Sequence, residues 1–396
     1  MRNFLFLPLF FVGVLIPEMG YSQTLDGNPS IPGKIWETTI QDPNLDYELK
    51  GSAIAHDGAP ICLVLGSRPK GKSIGHQDFK LQIIDSAGRL QTSIDLSSYI
   101  QPENSPESRM SIDGISVTPT GIVFLALTQI NGQVRFVGLD IATSKSVVNS
   151  MLVLGYPDLS IYKMLLTNSG TLLLLGSANK KGFIAEVDQS GKVLWHKTLD
   201  EQINVLLDAI QVANGFAVVG GKSDKNALAE IWAAEISLKG DMVQNHTFPG
   251  RSRFASLVKS SGGHYVIIYD RLDDRPESEI VQVVIQGLNP VLQPTWERTL
   301  VSGVPITSPF RIASAESEGY IVAGVKEHGS LWVSRLQEDG ASVWTYSTKA
   351  IPPDYPRFHS VDILRSDKDF VLVSGLSTVS GREQQQVVNV TKFSIR

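Results

Sequence analysis

Between Leu207 and Phe248 the sequence reads LDAIQVA, NG, FAVVGG, KSDKNALA, EIWAAEIS, LKGD and MVQNHTF. Short apolar runs alternate there with Gly, Asn, Asp and Lys, a pattern typical of β-strands separated by turns. Four such strands in succession predict one twisted antiparallel sheet, with the first strand innermost and the last strand outermost. Similar units recur along most of the chain.

The second strand of this unit has seven copies, each an apolar run that in most cases ends near a glycine. The copies are ICLVLGS (61–67), GIVFLALT (121–128), TLLLLGS (171–177), FAVVGG (216–221), HYVIIYD (264–270), YIVAGV (320–325) and FVLVSG (370–375). From Gly66 to Gly375 the spacing averages about 51.5 residues per copy, close to the length of a four-stranded propeller blade. The sequence therefore predicts an all-β fold: a seven-bladed β-propeller of four-stranded antiparallel sheets.

The two ends of the chain indicate how the ring closes. The last unit has only three strands, SVDILRS, FVLVSG and VVNVTKFSI, before Arg396. The stretch GKIWETTI (33–40) precedes the first complete unit and offers the missing strand. We expect this N-terminal strand to complete the C-terminal blade, because a closed ring leaves no long sheet edge open for aggregation.

The first 22 residues have the pattern of a secretory signal peptide. A basic start at Arg2 is followed by an apolar run over 4–16 and by small residues before a predicted cleavage after Ser22. A membrane anchor is the alternative, but the run is shorter than the ~20 apolar residues of a spanning helix. We therefore predict a signal peptide over 1–22 and a single β-propeller domain over 23–396. The mature protein is expected to be a periplasmic or secreted monomer without a transmembrane segment.

The composition limits the possible classes of function. With 42% hydrophobic and 19% charged residues, the chain is typical of a globular protein. Its formal net charge of −5 argues against the broad positive field that binds nucleic acid. Cys62 is the only cysteine, so no intrachain disulfide is expected. Its position within the apolar phrase ICLVLG predicts a small buried hydrophobe rather than a nucleophile.

One recurring phrase carries a resemblance to a known superfamily. An apolar strand followed by Asp-x-x-Gly-Lys-x-x-Trp, as in GFIAEVDQSGKVLW (182–195), resembles the repeats of secreted bacterial β-propellers of the quinoprotein-like (PQQ-like) superfamily. The resemblance covers most of 33–396 and implies a fold more than an activity. Quinoprotein dehydrogenases of this superfamily often carry an adjacent cysteine pair and a calcium-bound quinone, whereas this chain has Cys62 alone. We therefore expect no cofactor.

Four tryptophans lie in or beside the predicted fourth strands. They are Trp36, Trp195, Trp296 and Trp344. We expect them to fill gaps between neighbouring blades, because large aromatic rings bury much apolar surface. Stacking on a cofactor is the alternative.

The sequence contains no catalytic or metal-binding motif in the structural context that such a motif requires. Its seven histidines occur singly, without a second His or Cys at ligand spacing. A His-Glu-x-x-His helix is missing. The letters of a Walker loop and of a nucleophile elbow occur in GSRPKGKSIG (66–75), but within an all-β pattern that lacks the strand-to-helix turn both motifs need. We therefore predict a protein that is not an enzyme. The alternative is a hydrolase or lyase at the mouth of the central channel, built from side chains such as His76, His328, Arg271 or Asp273.

One face of the predicted propeller is expected to carry recognition. Connections from second to third strands and from blade to blade emerge there, around the channel; we call it the loop face. The candidate binding residues on these connections are Arg68, Lys72, His76, Lys180, Lys181, Lys222, Arg271, Asp273, Asp274 and His328. Lysines concentrate in the first, third and fourth blades and acidic residues in the fifth, which predicts a polarised face. We expect a scaffold that binds a protein or a polymeric ligand there; simple solvated loop ends are the alternative.

Overall fold

The predicted architecture is confirmed by a computed structural model. The model describes residues 33–42, 44–55, 60–69, 78–100, 110–129, 131–199, 202–223, 229–249, 254–272, 280–305, 310–315, 319–326, 330–347, 357–366, 368–380 and 383–394. Within these residues the chain forms seven four-stranded antiparallel sheets. The fold is therefore a seven-bladed β-propeller. The predicted signal peptide lies outside the described residues.

The blades follow one another along the chain, each running from its innermost strand to its outermost. The strand that opens the described chain is β1 (Lys34–Ile40). Blades one to three consist of β2 (Leu45–Ile54), β3 (Ile61–Pro69), β4 (Asp78–Ile84), β5 (Leu90–Asp95); β6 (Met110–Val117), β7 (Ile122–Gln129), β8 (Val134–Asp140), β9 (Lys145–Leu152); β10 (Ser160–Leu166), β11 (Leu172–Ala178), β12 (Lys181–Val187), β13 (Val193–Thr198). A short helical turn, α1 (Ser97–Ile100), follows β5.

The remaining four blades repeat the same order. Blades four to six consist of β14 (Ile203–Val212), β15 (Gly215–Ser223), β16 (Ala229–Ser237), β17 (Met242–Phe248); β18 (Ala255–Lys259), β19 (Tyr265–Leu272), β20 (Ile280–Leu288), β21 (Pro294–Pro305); β22 (Phe310–Ser314), β23 (Tyr320–Val325), β24 (Leu331–Leu336), β25 (Ser342–Ser347). Blade seven consists of β26 (Arg357–Ser366), β27 (Asp369–Ser380) and β28 (Glu383–Ser394), with β1 as its outermost strand.

The core is divided among the seams, by which we mean the contacts between adjacent blades. Each of the seven buried apolar clusters joins two neighbouring blades, including blades seven and one. The second strands contribute most because both their faces meet a neighbouring sheet; the first seven residues of β3, for example, are all buried. Burial on both faces explains why the second strands are continuous apolar runs rather than alternating ones.

The ring closes as the sequence predicts. Strand β1 pairs antiparallel with β28, with Lys34 opposite Phe393 and Ile40 opposite Val388. This pairing places the outermost strand of blade seven beside blade one and lets Ile40 enter the cluster between those blades. The two ends of the described chain thus share one sheet.

Outer-strand tryptophans pack across four of the seams. Trp36 lies over Gly88 in the last turn of blade one, where an added Cβ would come within 2.6 Å of the ring. The Trp36 Nε1 also donates a hydrogen bond of 3.0 Å to the Ser86 carbonyl. The same packing joins Trp195 to Gly240 and Trp296 to Gly340. Trp344 is buried in the cluster between blades six and seven. The predicted gap-filling role is therefore confirmed.

Replacing Trp36 by alanine tests the contribution of this packing to closure. We expect Trp36→Ala to lower the free energy of unfolding in urea by about 2 kcal/mol, because a partly buried indole and its hydrogen bond are lost. The neighbouring Ile35 is 50% exposed, so Ile35→Ala serves as a control with an expected change below about 0.5 kcal/mol. Equal losses in the two variants would contradict a special role for the indole.

Cys62 provides an internal reporter of unfolding. The side chain is fully buried, and this burial raises the pKa of the thiol to about 12. The reactive thiolate is therefore almost absent from the folded protein below pH 10. We expect a thiol reagent at pH 8 to modify Cys62 at the rate of unfolding, and much faster in denaturant. Rapid modification of the folded protein would refute the burial.

Candidate functional site

The two faces of the ring differ in the length of their strand connections. On one face, here called the turn face, the first-to-second and third-to-fourth strand connections span two to six residues. On the loop face the connections span from two residues, between β11 and β12 and between β27 and β28, to fourteen, between β5 and β6. Variation in length is concentrated on the loop face, as expected for the face that carries recognition in a propeller.

The turns of the turn face are stabilised by hydrogen bonds between residues of the same turn. In the last turn of blade one, the Gly88 amide donates to the Asp85 carbonyl at 3.0 Å, and the Asp85 carboxylate accepts from the Ala87 amide at 2.9 Å. The Arg89 amide donates to the same carboxylate and holds the pKa of Asp85 below its usual range. Gly88 takes a φ of 83°, which favours glycine. The recurring Asp-x-x-Gly phrase therefore has a structural role.

Half of the candidate binding residues belong to the described part of the chain. They are Arg68, Lys180, Lys181, Lys222 and Arg271. Each lies where a second strand ends or a third strand begins, so the topology places all five on the loop face. The remaining candidates, Lys72, His76, Asp273, Asp274 and His328, lie outside the described residues.

Two of these cations are paired with the carboxylate directly opposite them on a neighbouring strand. Arg68 Nε lies 3.7 Å from Asp46 Oδ2, and Lys222 Nζ lies 3.9 Å from Glu230 Oε2. Partly exposed pairs of this kind contribute about 1 kcal/mol or less to stability. The side chains of Arg68 and Lys222 stay 31% and 26% exposed in these pairs.

Arg271 has a different orientation. Its Nη2 donates to Glu297 Oε1 at 2.8 Å, and Glu297 belongs to β21, the outermost strand of blade five. The side chain therefore extends outward across its own blade. Catalysis at the channel mouth would need the Arg271 guanidinium group to extend inward, toward the channel.

Asn179 and Lys180 form a two-residue loop-face connection, and Lys181 is the first residue of β12. Asn179 and Lys180 adopt left-handed backbone conformations, with φ of 52° and 60°. The Lys180 carbonyl accepts a hydrogen bond of 3.3 Å from Asn204 Nδ2, in the inner strand of blade four. This contact attaches the turn of blade three to the next blade and presents two adjacent lysines on a defined backbone.

The inner strands contain a carboxylate that the sequence interpretation missed. Asp208 in β14 is 7% exposed, and its Oδ2 accepts hydrogen bonds from Ser256 Oγ at 2.7 Å and from the Leu257 amide at 3.1 Å. Its Oδ1 accepts from the Ala209 amide at 3.0 Å and lies 3.4 Å from Lys163 Nζ. One carboxylate thus connects the inner strands of blades three, four and five.

Blade seven repeats this arrangement with Asp362. Its Oδ2 accepts a hydrogen bond from Ser52 of blade one. Its Oδ1 accepts from the Ile363 amide at 2.9 Å and lies 3.9 Å from Arg311 Nε of blade six. In both cases a cation comes from the preceding blade and a serine from the following blade. The shared signal in the sequence is an aspartate in an apolar inner strand, in LDAI and VDIL.

These inner clusters have the chemistry of structural bridges. Ser256 donates directly to Asp208, and both oxygens of that carboxylate accept hydrogen bonds from protein groups. A general base would need an oxygen open to a substrate proton. In the part of the chain that the structure describes, no group of His, Cys, Asp and Glu is arranged to hold a metal ion.

Among the residues described, no helix combines the length and the apolar character needed to cross a bilayer.

Comparison with known proteins supports the architecture. No protein-family model matches the sequence, and no curated protein matches it significantly. A protein of unknown function from Dyadobacter fermentans is similar in structure, with a TM-score of 0.54 and 9% identity over 92% of this chain and 99% of the other. A streptogramin B lyase structure is similar with a TM-score of 0.51 and 11% identity over 91% of this chain and 98% of the other. A chain of the mitotic checkpoint complex is similar with a TM-score of 0.50 and 10% identity over 99% of both chains.

At these identities the likeness establishes the propeller fold alone. The proteins differ in function, so none of their activities transfers to this chain on structural grounds. The quinoprotein-like resemblance and the expected export both stay predictions.

Replacing the blade-four carboxylate tests its bridging role. We expect Asp208→Ala to lower the free energy of unfolding by about 3 kcal/mol, because Ser256, the Leu257 amide and Lys163 lose a buried partner. Asp208→Asn retains one acceptor oxygen and should cost less. As a control, Asp339→Ala removes a carboxylate whose side chain is 59% exposed, with an expected change below about 1 kcal/mol. Similar urea midpoints for Asp208→Ala and Asp339→Ala would exclude the bridge.

Proposed function

We propose that this protein is an exported binding scaffold, without enzymatic activity, that takes a protein or a polymeric ligand on its loop face. The observation that carries the proposal is the contrast between the two faces. One is built from short turns closed by their own hydrogen bonds, and the other bears the connections of variable length. Long variable connections on a rigid ring are the usual carriers of recognition.

The charges of the loop face support a ligand with negative groups. Lys180 and Lys181 lie next to each other in blade three, and Lys222 follows at the end of β15 in blade four. These three cations come from adjacent blades and occupy the same kind of connection. Clustered positive charge favours association with an acidic surface and speeds its encounter.

The inner carboxylates support binding over catalysis. Asp208 and Asp362 direct their oxygens to groups of the neighbouring blades. The second candidate function, a hydrolase or lyase at the channel mouth, would need a titratable group left open to substrate. Export rests on the signal-peptide pattern in the sequence.

Charge reversal on one face at a time tests the proposal. The loop-face variant is Lys180→Glu/Lys181→Glu/Lys222→Glu. The turn-face control is Lys145→Glu/Lys239→Glu/Lys259→Glu, since these three exposed lysines flank or lie in turns of the opposite face. Both variants change the net charge equally, so a difference between them reports position rather than total charge.

We expect the loop-face variant to capture its partner from a native envelope extract at least tenfold less than the unmodified protein does. Capture is measured by quantitative mass spectrometry on the immobilised proteins, after a check that all three unfold at similar temperatures. The turn-face control should retain capture. Equal capture by the two variants, or a loss confined to the control, would overturn the assignment to the loop face.

A further inference from the structure

The turn face carries an exposed cation in each of four successive third-to-fourth strand turns. Arg89, Lys145, Lys192 and Lys239 lie in or directly beside these turns, in blades one to four. The Arg89 side chain is 80% exposed although its Nε pairs with Asp85. Because the turns join equivalent strands of adjacent blades, they lie side by side on one face. We call the segments 85–90, 140–145, 188–194 and 237–243 together the basic sector.

The carboxylates of the first three turns are held against the turn backbone. Asp188 Oδ1 accepts hydrogen bonds of 2.9 Å from the amides of Ser190 and Lys192. Asp85 and Asp140 likewise accept from amides of their own turns. All three residues are partly buried. The first three turns therefore direct their positive side chains outward and keep their negative ones against the backbone.

The turn of blade four has the exposed carboxylate of the basic sector. It begins with Ser237, whose Oγ accepts from the amides of Lys239 and Asp241 at 3.2 and 3.1 Å. The Asp241 side chain is exposed and forms an ion pair with Lys197 of blade three. Because a further cation neutralises this carboxylate, the cations of the four turns stay in excess.

Exposed apolar side chains lie between these cations. Leu90 directly follows Arg89, and Leu238 directly precedes Lys239; both leucines are about half exposed. Leu194 and Met242 are also exposed in the same sector. Apolar side chains beside basic ones on one surface are typical of proteins that bind at the interface of a bilayer.

The positive charge is a local property of blades one to four. The corresponding turn of blade six instead exposes Glu338 and Asp339, and the chain as a whole has a net charge of −5. The turn face is therefore polarised. A flat, negatively charged surface is expected to approach it at the basic sector.

The kinds of residue in the basic sector favour a lipid surface over a protein partner. Protein interfaces are depleted in lysine and enriched in exposed aromatic rings. Lysine supplies three of the four cations here, and the exposed apolar residues are leucine and methionine. The indoles of Trp36 and Trp195 lie over glycines of these turns. Lysine beside aliphatic side chains suits the headgroup region of an anionic bilayer.

We propose that the turn face docks on an anionic lipid bilayer through the basic sector. The four cations contact lipid headgroups, and the exposed apolar side chains of the sector enter the headgroup region. Few apolar side chains are available, so the docking is peripheral and reversible. The loop face then points away from the bilayer, because the two faces lie on opposite sides of the ring.

Co-sedimentation of the full chain with lipid vesicles tests the proposal. The probes are pure phosphatidylcholine vesicles, vesicles that also contain phosphatidylglycerol, and immobilised polyglutamate. We expect binding to the anionic vesicles that is at least tenfold tighter than to the neutral ones and that weakens with added salt, because salt screens exposed charges. Equal binding to both kinds of vesicle, or binding to polyglutamate without binding to anionic vesicles, would overturn the proposal.

Two charge variants locate the contact. Lys145→Glu/Lys192→Glu/Lys239→Glu should weaken binding to anionic vesicles at least tenfold. The matched control is the loop-face variant Lys180→Glu/Lys181→Glu/Lys222→Glu, which changes the net charge equally and should keep affinity within threefold. Both variants are first checked for an unfolding temperature like that of the unmodified protein. An equal loss in the two variants would exclude the basic sector as the contact.

A second pair of variants tests the apolar contribution without changing charge. Leu238→Ser/Met242→Ser should weaken binding to anionic vesicles at least threefold, because two side chains that enter the headgroup region become polar. The control is Val153→Ser. Val153 is 85% exposed and follows β9 at its loop-face end, so this change should leave binding unaltered. Unchanged binding by Leu238→Ser/Met242→Ser would refute the insertion of apolar side chains.

Discussion

The antiparallel pairing of β1 with β28 is the contact on which the rest of the structure depends. Among the described residues, each buried apolar cluster is shared between two neighbouring sheets, so the blades depend on one another for their cores. An open ring would expose the facing surfaces of blades one and seven to water and leave a sheet edge unpaired. Closure between strands from the two ends of the chain therefore stabilises every seam.

Two kinds of contact reinforce the seams, one between outer strands and turns and one between inner strands. At the outside, an indole from one blade covers a glycine turn of the next, as Trp36 does with Gly88. At the inside, a buried aspartate accepts hydrogen bonds across the seam, as Asp208 does from Ser256. The outer contact depends on the fit between an indole and a glycine turn, and the inner contact depends on hydrogen bonds. Together they hold successive blades in one relative position.

Departures from the repeat mark the places where this ring can contact other molecules. The repeated residues of a propeller pack neighbouring blades together. A residue that departs from the repeat can therefore have another role. Thr92 is such a position, because it stands where four other seams hold an indole. The variable connections of the loop face are a second departure.

The repeat in the sequence determined the fold class, the number of blades and the closing strand, because strand periodicity and turn residues are local properties. It also placed Lys180, Lys181 and Lys222 on one face, because all second-to-third strand connections of a propeller emerge on the same face. The bridge from Asp208 to Ser256 and the basic sector of the turn face were decided only by the tertiary structure. Ser256 lies 48 residues from Asp208 in the chain, and the basic sector depends on which side chains of four separate turns stay exposed. Such arrangements follow from register and packing between blades, which no local pattern encodes.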